Sequence, residues 1–118
     1  MLKEIAESTT VFVVTGYTDM RKSIDGLAEC VKGSLLQDPY SRSLYLFCGH
    51  RCDRLKALLW EGDGFLLMYK RLDSGRFRWP RSEMQARQLT NQQIRWLLEG
   101  LEIDQPKAIR DGVRGELY

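Results

Sequence analysis

In the segment YKRLDSGRFRWPR, residues 69–81, Lys70, Arg71, Arg76, Arg78 and Arg81 are interleaved with Tyr69, Phe77 and Trp79. Cationic groups at this density can hold phosphate oxygens, Arg bidentately through its planar fork, and an exposed ring such as Tyr69 can stack on a base. The same residues have a plainer use. Long cationic side chains lay their methylene stems over apolar neighbours and keep their heads in water, which makes a solvated sheet edge. Residue type alone leaves both readings open.

Two other constellations offer chemistry on paper. CGHRC brings Cys48, His50 and Cys52 within five residues, but a structural zinc site takes four ligands, usually from two separated pairs, and the remaining thiol is Cys30. No signature or third group supports a Cys-His-Asp nucleophile. Asp19, Asp25, Asp53, Asp63 and Asp73 could be searched for a nuclease-type metal set. Helix capping accounts for Asp19, a turn for Asp63 and a cross-strand ion pair for Asp73. The chain carries no phosphate loop of the P-loop or dinucleotide type. The expectation is a protein with no catalytic residue, no metal and no cofactor.

The elements that must position the basic stretch can be read from periodicity. VFVVT at 11–15 is a short β-branched run stopped by Gly16, which suits a buried strand. A helix follows, capped by Thr18 or Asp19, with Met20, Ile24, Leu27, Val31 and Leu35 as its core face. Residues 44–48 read as a second strand. Residues 55–60, a Gly-Asp-Gly turn, residues 65–72, a Ser74-Gly75 turn and residues 76–79 then describe a three-stranded antiparallel meander, closed by Pro80. Thr90 and Gln93 form a capping-box pattern ahead of Ile94, Leu97, Leu98 and Leu101, and Gly100 lies near that helix's end. The result is one α+β domain over residues 1–103, with an antiparallel sheet of about five strands and two main helices, followed by a polar tail over 104–118 that frays.

This register places Trp60 opposite Phe65, Leu58 opposite Leu67, Lys56 opposite Tyr69 and Arg54 opposite Arg71, while a Ser74-Gly75 loop sets Arg71 opposite Arg78. Opposed residues share a face, so Arg54, Arg71 and Arg78 line up across three strands. Like charges in that position destabilise by a few tenths of a kcal/mol per pair, roughly, so the row wants an anion. The other end of the face is apolar and expects a helix over it. Phe77 and Trp79 fall on the apolar side and read as core.

Bulk properties set the frame. At 118 residues the chain suffices for one core, and its 43% hydrophobic and 29% charged content is ordinary globular usage. The N-terminus lacks the apolar region of a signal peptide and no run approaches a membrane span, so the expected address is cytoplasmic, with reduced thiols. Net charge is only +2, but between Lys70 and Arg95 seven cations stand against Asp73 and Glu83. That window carries +5 and the rest of the chain −3.

The blocks GYTDMRKSIDGLA, DPYSRSLYLFCGHRCDRLK, LLWEGDGFLLMYKRL, GRFRWP and LTNQQIRWLLEGLE, in that order and spacing, fall between residues 16 and 102 and carry a resemblance over roughly residues 11–103. Together they resemble the small second-frame accessory proteins, often called TnpB, of bacterial insertion sequences of the IS-sixty-six type, which are unrelated to the RNA-guided nuclease of the same name. The matching positions include Thr18, Asp19, Met20, Arg21, Lys22, Asp25 and Gly26, then Asp53, Arg54 and Lys56, then Tyr69, Lys70, Arg71, Gly75, Arg76, Phe77, Trp79 and Pro80. His50, where the family commonly has another basic residue, and the variable Cys52 depart from the pattern, and the Cys and His read as incidental.

The resemblance implies a protein encoded beside a small first-frame protein and a large transposase that carries the acidic catalytic residues. Two functions are carried forward. One is a non-catalytic accessory of transposition that binds DNA backbone through Arg54, Lys56, Tyr69, Lys70, Arg71, Arg76 and Arg78. The other is an adaptor that docks on the transposase or the first-frame protein, with Arg21 and Lys22 as partner contacts and no direct DNA contact. Oligomeric state is left open.

Overall fold

The structure, a computed structural model, describes residues 1–107 and 109. In chain order it has helix α1 (Leu2–Glu7), strand β1 (Val11–Val14), helix α2 (Ile24–Glu29) and a π-helical turn (Cys30–Ser34). Strands β2 (Leu44–Cys48), β3 (Arg54–Trp60), β4 (Phe65–Arg71) and β5 (Ala86–Leu89) follow, and then helix α3 (Asn91–Leu98). The five strands form one sheet in the order β4-β3-β2-β1-β5.

Burial explains the order. Every residue of β2 is buried, and in β1 only Phe12 is partly exposed, the signature of strands covered on both faces. One face packs Val11, Val13, Leu44, Leu46, Leu55 and Ala57 under α1 and α3. The other packs Val14, Tyr45, Phe47 and Leu58 under Leu27, Val31 and Leu35 of the α2 region. The fold is α+β, as the sequence implies, but the sheet is mixed rather than antiparallel: β1 and β2 pair in parallel, with α2 in the connection between them. A parallel neighbour needs such a crossover, and the apolar stripe of α2 supplies the cover it requires.

The stripe itself is where the sequence put it, but the helix is shorter. Thr18 donates its amide to the Cys48 carbonyl at 2.8 Å and the Asp19 carboxylate accepts from the Arg21 amide at 2.9 Å, so neither caps a helix. Ser23 is the residue before the first turn. The last turn widens, with the Leu35 amide reaching Cys30 O at 3.0 Å, and Leu35 still lands in the core. Helix α1 and strand β5 were not foreseen. Most of the expected tail, residue 108 and residues 110–118, lies outside the described residues.

The expected third strand of the meander is the main correction. Residues 76–79 join no ladder, and a three-stranded antiparallel unit exists instead as β2-β3-β4. The reason is topological. Strands β4 and β5 occupy opposite edges of the sheet, so the chain between them must cross four strand spacings, about 19 Å. It does so as an extended strap over the strand ends. Phe77 donates its amide to Cys52 O at 2.7 Å, Gly16 donates to Pro80 O at 2.9 Å, and the Trp79 Nε1 donates to Val14 O at 2.8 Å. Alternation is real in the strap: Phe77 and Trp79 are buried while Arg76 and Arg78 are exposed.

Helix α3 carries the expected capping box, with Thr90 Oγ1 accepting from Gln93 N at 3.1 Å and Gln93 Oε1 accepting from Thr90 N at 3.0 Å. Its far end turns at Gly100, φ +85°, where the Leu101 amide reaches back to Trp96 O at 2.8 Å and the Gly100 amide to Leu97 O at 3.1 Å. That pair of bonds needs the left-handed conformation that glycine adopts at least cost. The turn lays the following chain beside the strap.

Trp79→Phe keeps most of the buried ring but orphans the Val14 carbonyl, and should lower unfolding free energy by about 1–3 kcal/mol. Trp79→Ala should cost about 3–5 kcal/mol. Arg78→Ala, one residue away and exposed, should stay within about 0.5 kcal/mol. Urea midpoints compare the three, and a neutral Trp79→Phe would show that the indole bond does not hold the strap.

Candidate functional site

The β3–β4 ladder sets Arg54 directly opposite Arg71 and Lys56 opposite Tyr69, as the sequence register requires. Next along the same face come Leu58 with Leu67 and Trp60 with Phe65. Leu58, Leu67 and Phe65 pack with the α2 region, so the helix expected over this end is present. The face therefore changes from covered and apolar to open and basic between Leu58 and Lys56.

Only part of this charge is neutralised. Asp53 holds Arg54 with bonds of 3.0 Å to Nε and 3.3 Å to Nη2, both side chains being less than a third exposed. The Arg54 guanidinium pulls the Asp53 carboxyl below its ordinary range, and Asp53, then Tyr69, raises Arg54. Arg71 is exposed and has no ion-pair partner among the described residues. A cross-strand pair of like charges is left with one member compensated.

Lys56 joins a second group to the first. Its Nζ donates to the backbone carbonyl of Lys22 at 2.7 Å and stands 5.8 Å from the Tyr69 ring centroid, within cation–π range. This bond brings the loop after β1 against β3. Of Arg21 and Lys22, expected as partner contacts, Lys22 thus meets this surface through its backbone, while its side-chain stem lies beside Gly26 of α2. Arg21 is itself tied to Asp19, through Nε at 3.0 Å and Nη2 at 2.9 Å.

Other expected members stand elsewhere. Lys70 opposes Leu55 on the face that carries α1 and α3, where it borders a hollow of about 220 Å³ with Lys3, Glu4 and Arg95. Because residues 76–79 are outside the ladder, Arg78 does not extend the Arg54–Arg71 row. Arg76 and Arg78 instead line a cleft of about 1190 Å³ between the strap, the turn after β2 and the segment after α3. Arg81 of the same basic stretch lines it too, with Arg51, Tyr17 and His50, to which the sequence assigns no role in nucleic-acid binding. A signal existed in CGHRC: a tight turn after a fully buried strand must expose its polar side chains, here His50 and Arg51.

The thiols do not converge with His50. Cys48 is fully buried and donates to the Arg54 carbonyl at 3.3 Å, its thiol pushed up by burial and then by Cys52. His50 lies outside, its ring 5.0 Å from that of Tyr17. Among the described residues no group of three or more His, Cys, Asp or Glu could hold a metal ion, and no helix is long and apolar enough to cross a membrane.

With this geometry in hand, comparison with known proteins is informative. The family model described as "IS66 Orf2 like protein" matches residues 9–108. Two proteins of Sinorhizobium fredii are similar along most of their length. "Uncharacterized protein y4jC" is 35% identical over 92 residues, covering 78% of this chain and 79% of the relative. "Uncharacterized protein y4hO" is 36% identical over 101 residues, covering 86% and 88%. No solved structure matches.

The Asp19–Arg21 contact makes a pH prediction. Arg21, through its side chain first and its amide second, holds the Asp19 carboxyl down to about 2. A carboxylate depressed in the folded state stabilises it above the ordinary Asp range, and that contribution disappears as pH falls through about 2. In Arg21→Ala the Asp19 midpoint, followed by carboxylate NMR, should rise towards about 3.9. An unmoved midpoint would assign the effect to the backbone amide alone.

Proposed function

The chain belongs to the IS66 Orf2-like family of insertion-sequence-associated accessory proteins, and on that premise we propose that it is a non-catalytic member of the transposition machinery that grips the phosphate backbone of duplex DNA. The observation that carries this reading is the Arg54–Arg71 pair. A sheet that opposes two guanidiniums and neutralises one has a standing preference for an anion at that spot, and a phosphate diester meets it bidentately.

The neighbours support the same ligand. Lys56, held by the Lys22 carbonyl, adds a point charge in a fixed position. Tyr69 is 53% exposed and stands over this group, able to lie against a sugar or an end base. Contacts of this kind fix a protein on the duplex without reading sequence, so the expected sequence preference is weak. The element's transposase and its small first-frame protein are the protein partners in this reading. Catalysis is left to the transposase.

Salt titration tests it. If Arg54, Lys56 and Arg71 each neutralise one phosphate, the log–log slope of affinity against salt should be near −2.7, at about −0.9 per contact. Arg71→Ala should flatten it by about 0.9. Lys70→Ala removes the same charge from the opposite face and should leave it unchanged. An adaptor without DNA contact predicts no duplex binding at low salt, and loss of transposase binding in Arg21→Ala with Lys22→Ala.

A further inference from the structure

The cleft beside the strap shares no lining residue with the basic ledge of Arg54, Lys56, Tyr69 and Arg71, and is differently built. We propose that it binds a single-stranded polynucleotide segment, whose phosphates are held by Arg51, Arg76, Arg78 and Arg81 and one of whose bases packs on the Tyr17–His50 ring pair. The proposal rests on the nucleic-acid reading of this end of the sheet and names a second ligand form for it.

Charge is the first argument. Four guanidiniums line one cleft and none has an ion pair or hydrogen bond to a protein group among the described residues. The acids on the lining are Glu102 and Asp104, and Asp104 is committed to Arg87 through a bidentate contact of 2.9 and 2.6 Å. The surplus is positive, and it is fixed in place. The strap is pinned by Trp79 and Phe77, whose side chains are 4% and 2% exposed, so the intervening Arg76 and Arg78 must project outward from a rigid backbone.

Shape and aromatic content then choose between strand forms. At about 1190 Å³ the cleft exceeds the usual range of small-molecule sites, roughly 300–1,000 Å³. The rings that reach the cleft are Tyr17, half-buried with part of it packed on the core, and His50, exposed, set 5.0 Å apart at 58°. Trp79 is not available, because its indole is buried and bonded to Val14. A duplex keeps its bases inside its stack and presents only backbone to a recessed ring. A single strand presents π-faces and phosphates together, the combination that positively charged grooves with aromatic platforms take without regard to sequence.

The test is fluorescence anisotropy on the full chain with labelled dT12, labelled rU12 and a 12-base-pair duplex. Binding of dT12, rU12 or both supports the cleft, and their ratio identifies the sugar it takes. Arg78→Ala with Arg81→Ala should flatten the single-strand salt slope by about 1.4, at about −0.7 per phosphate, and leave duplex affinity unchanged. Tyr17→Ala should weaken single-strand binding by at least about fivefold with the slope unchanged, the mark of stacking rather than charge. His50→Ala, at an exposed position, repeats that test if Tyr17→Ala does not fold. Arg54→Ala with Arg71→Ala should weaken the duplex alone, so the ledge and the cleft can fail separately. Failure of both dT12 and rU12 to bind at low salt, or binding indifferent to Arg78 and Arg81, overturns the proposal.

Discussion

At the end of β1, the carbonyl of Val14 accepts a hydrogen bond from the Trp79 indole at 2.8 Å. The strand pair β1 and β2 is buried on both faces, so its ends cannot be left to water without opening the core. Trp79 and Phe77 close that end. Everything basic in the strap follows from this closure, because an extended chain with two inward aromatics turns its alternate residues outward. The same strap carries the chain from the β4 edge to the β5 edge. One tryptophan thus stabilises the core, completes the topology and aims Arg76 and Arg78.

Charge is sorted along β3 and β4 with equal economy. Leu58, Leu67 and Phe65 go under α2, and the next two pairs on the same face are Lys56–Tyr69 and Arg54–Arg71. An opposed pair of like charges costs less than about 1 kcal/mol, which a domain stable by about 5–15 kcal/mol tolerates. The fold can therefore hold Arg71 uncompensated without distortion. The Lys56 bond to the Lys22 carbonyl links this surface to the loop after β1, so segments far apart in sequence meet there.

Much of this was legible in the residues. A two-residue loop at Gly62 and Asp63 set the β3–β4 register to the residue, and Thr90 with Gln93 marked the start of α3. Strand direction was not legible at β1 and β2, since a fully buried run carries no alternation that distinguishes parallel from antiparallel. Residues 76–79 misled for a definite reason: inward Phe77 and Trp79 satisfy the strand pattern, but the Phe77 amide bonds Cys52 O just before β3 and the Trp79 indole bonds Val14 O at the end of β1, with no ladder along a neighbour. Strand β5, with sequence ARQL, has no apolar period and is recruited by pairing to β1. The cleft depends on four segments distant in sequence, and no local pattern could have assembled it.

The central claim is that nucleic acid is held at the open, basic end of the sheet. Amide chemical-shift mapping of the full chain titrated with duplex DNA tests it most directly. Shifts centred on Arg54, Lys56, Tyr69 and Arg71, extending to Lys22 and quiet on α1, α3 and the 36–40 segment, are the predicted result. Shifts confined to those other surfaces, or none at low salt, would contradict it.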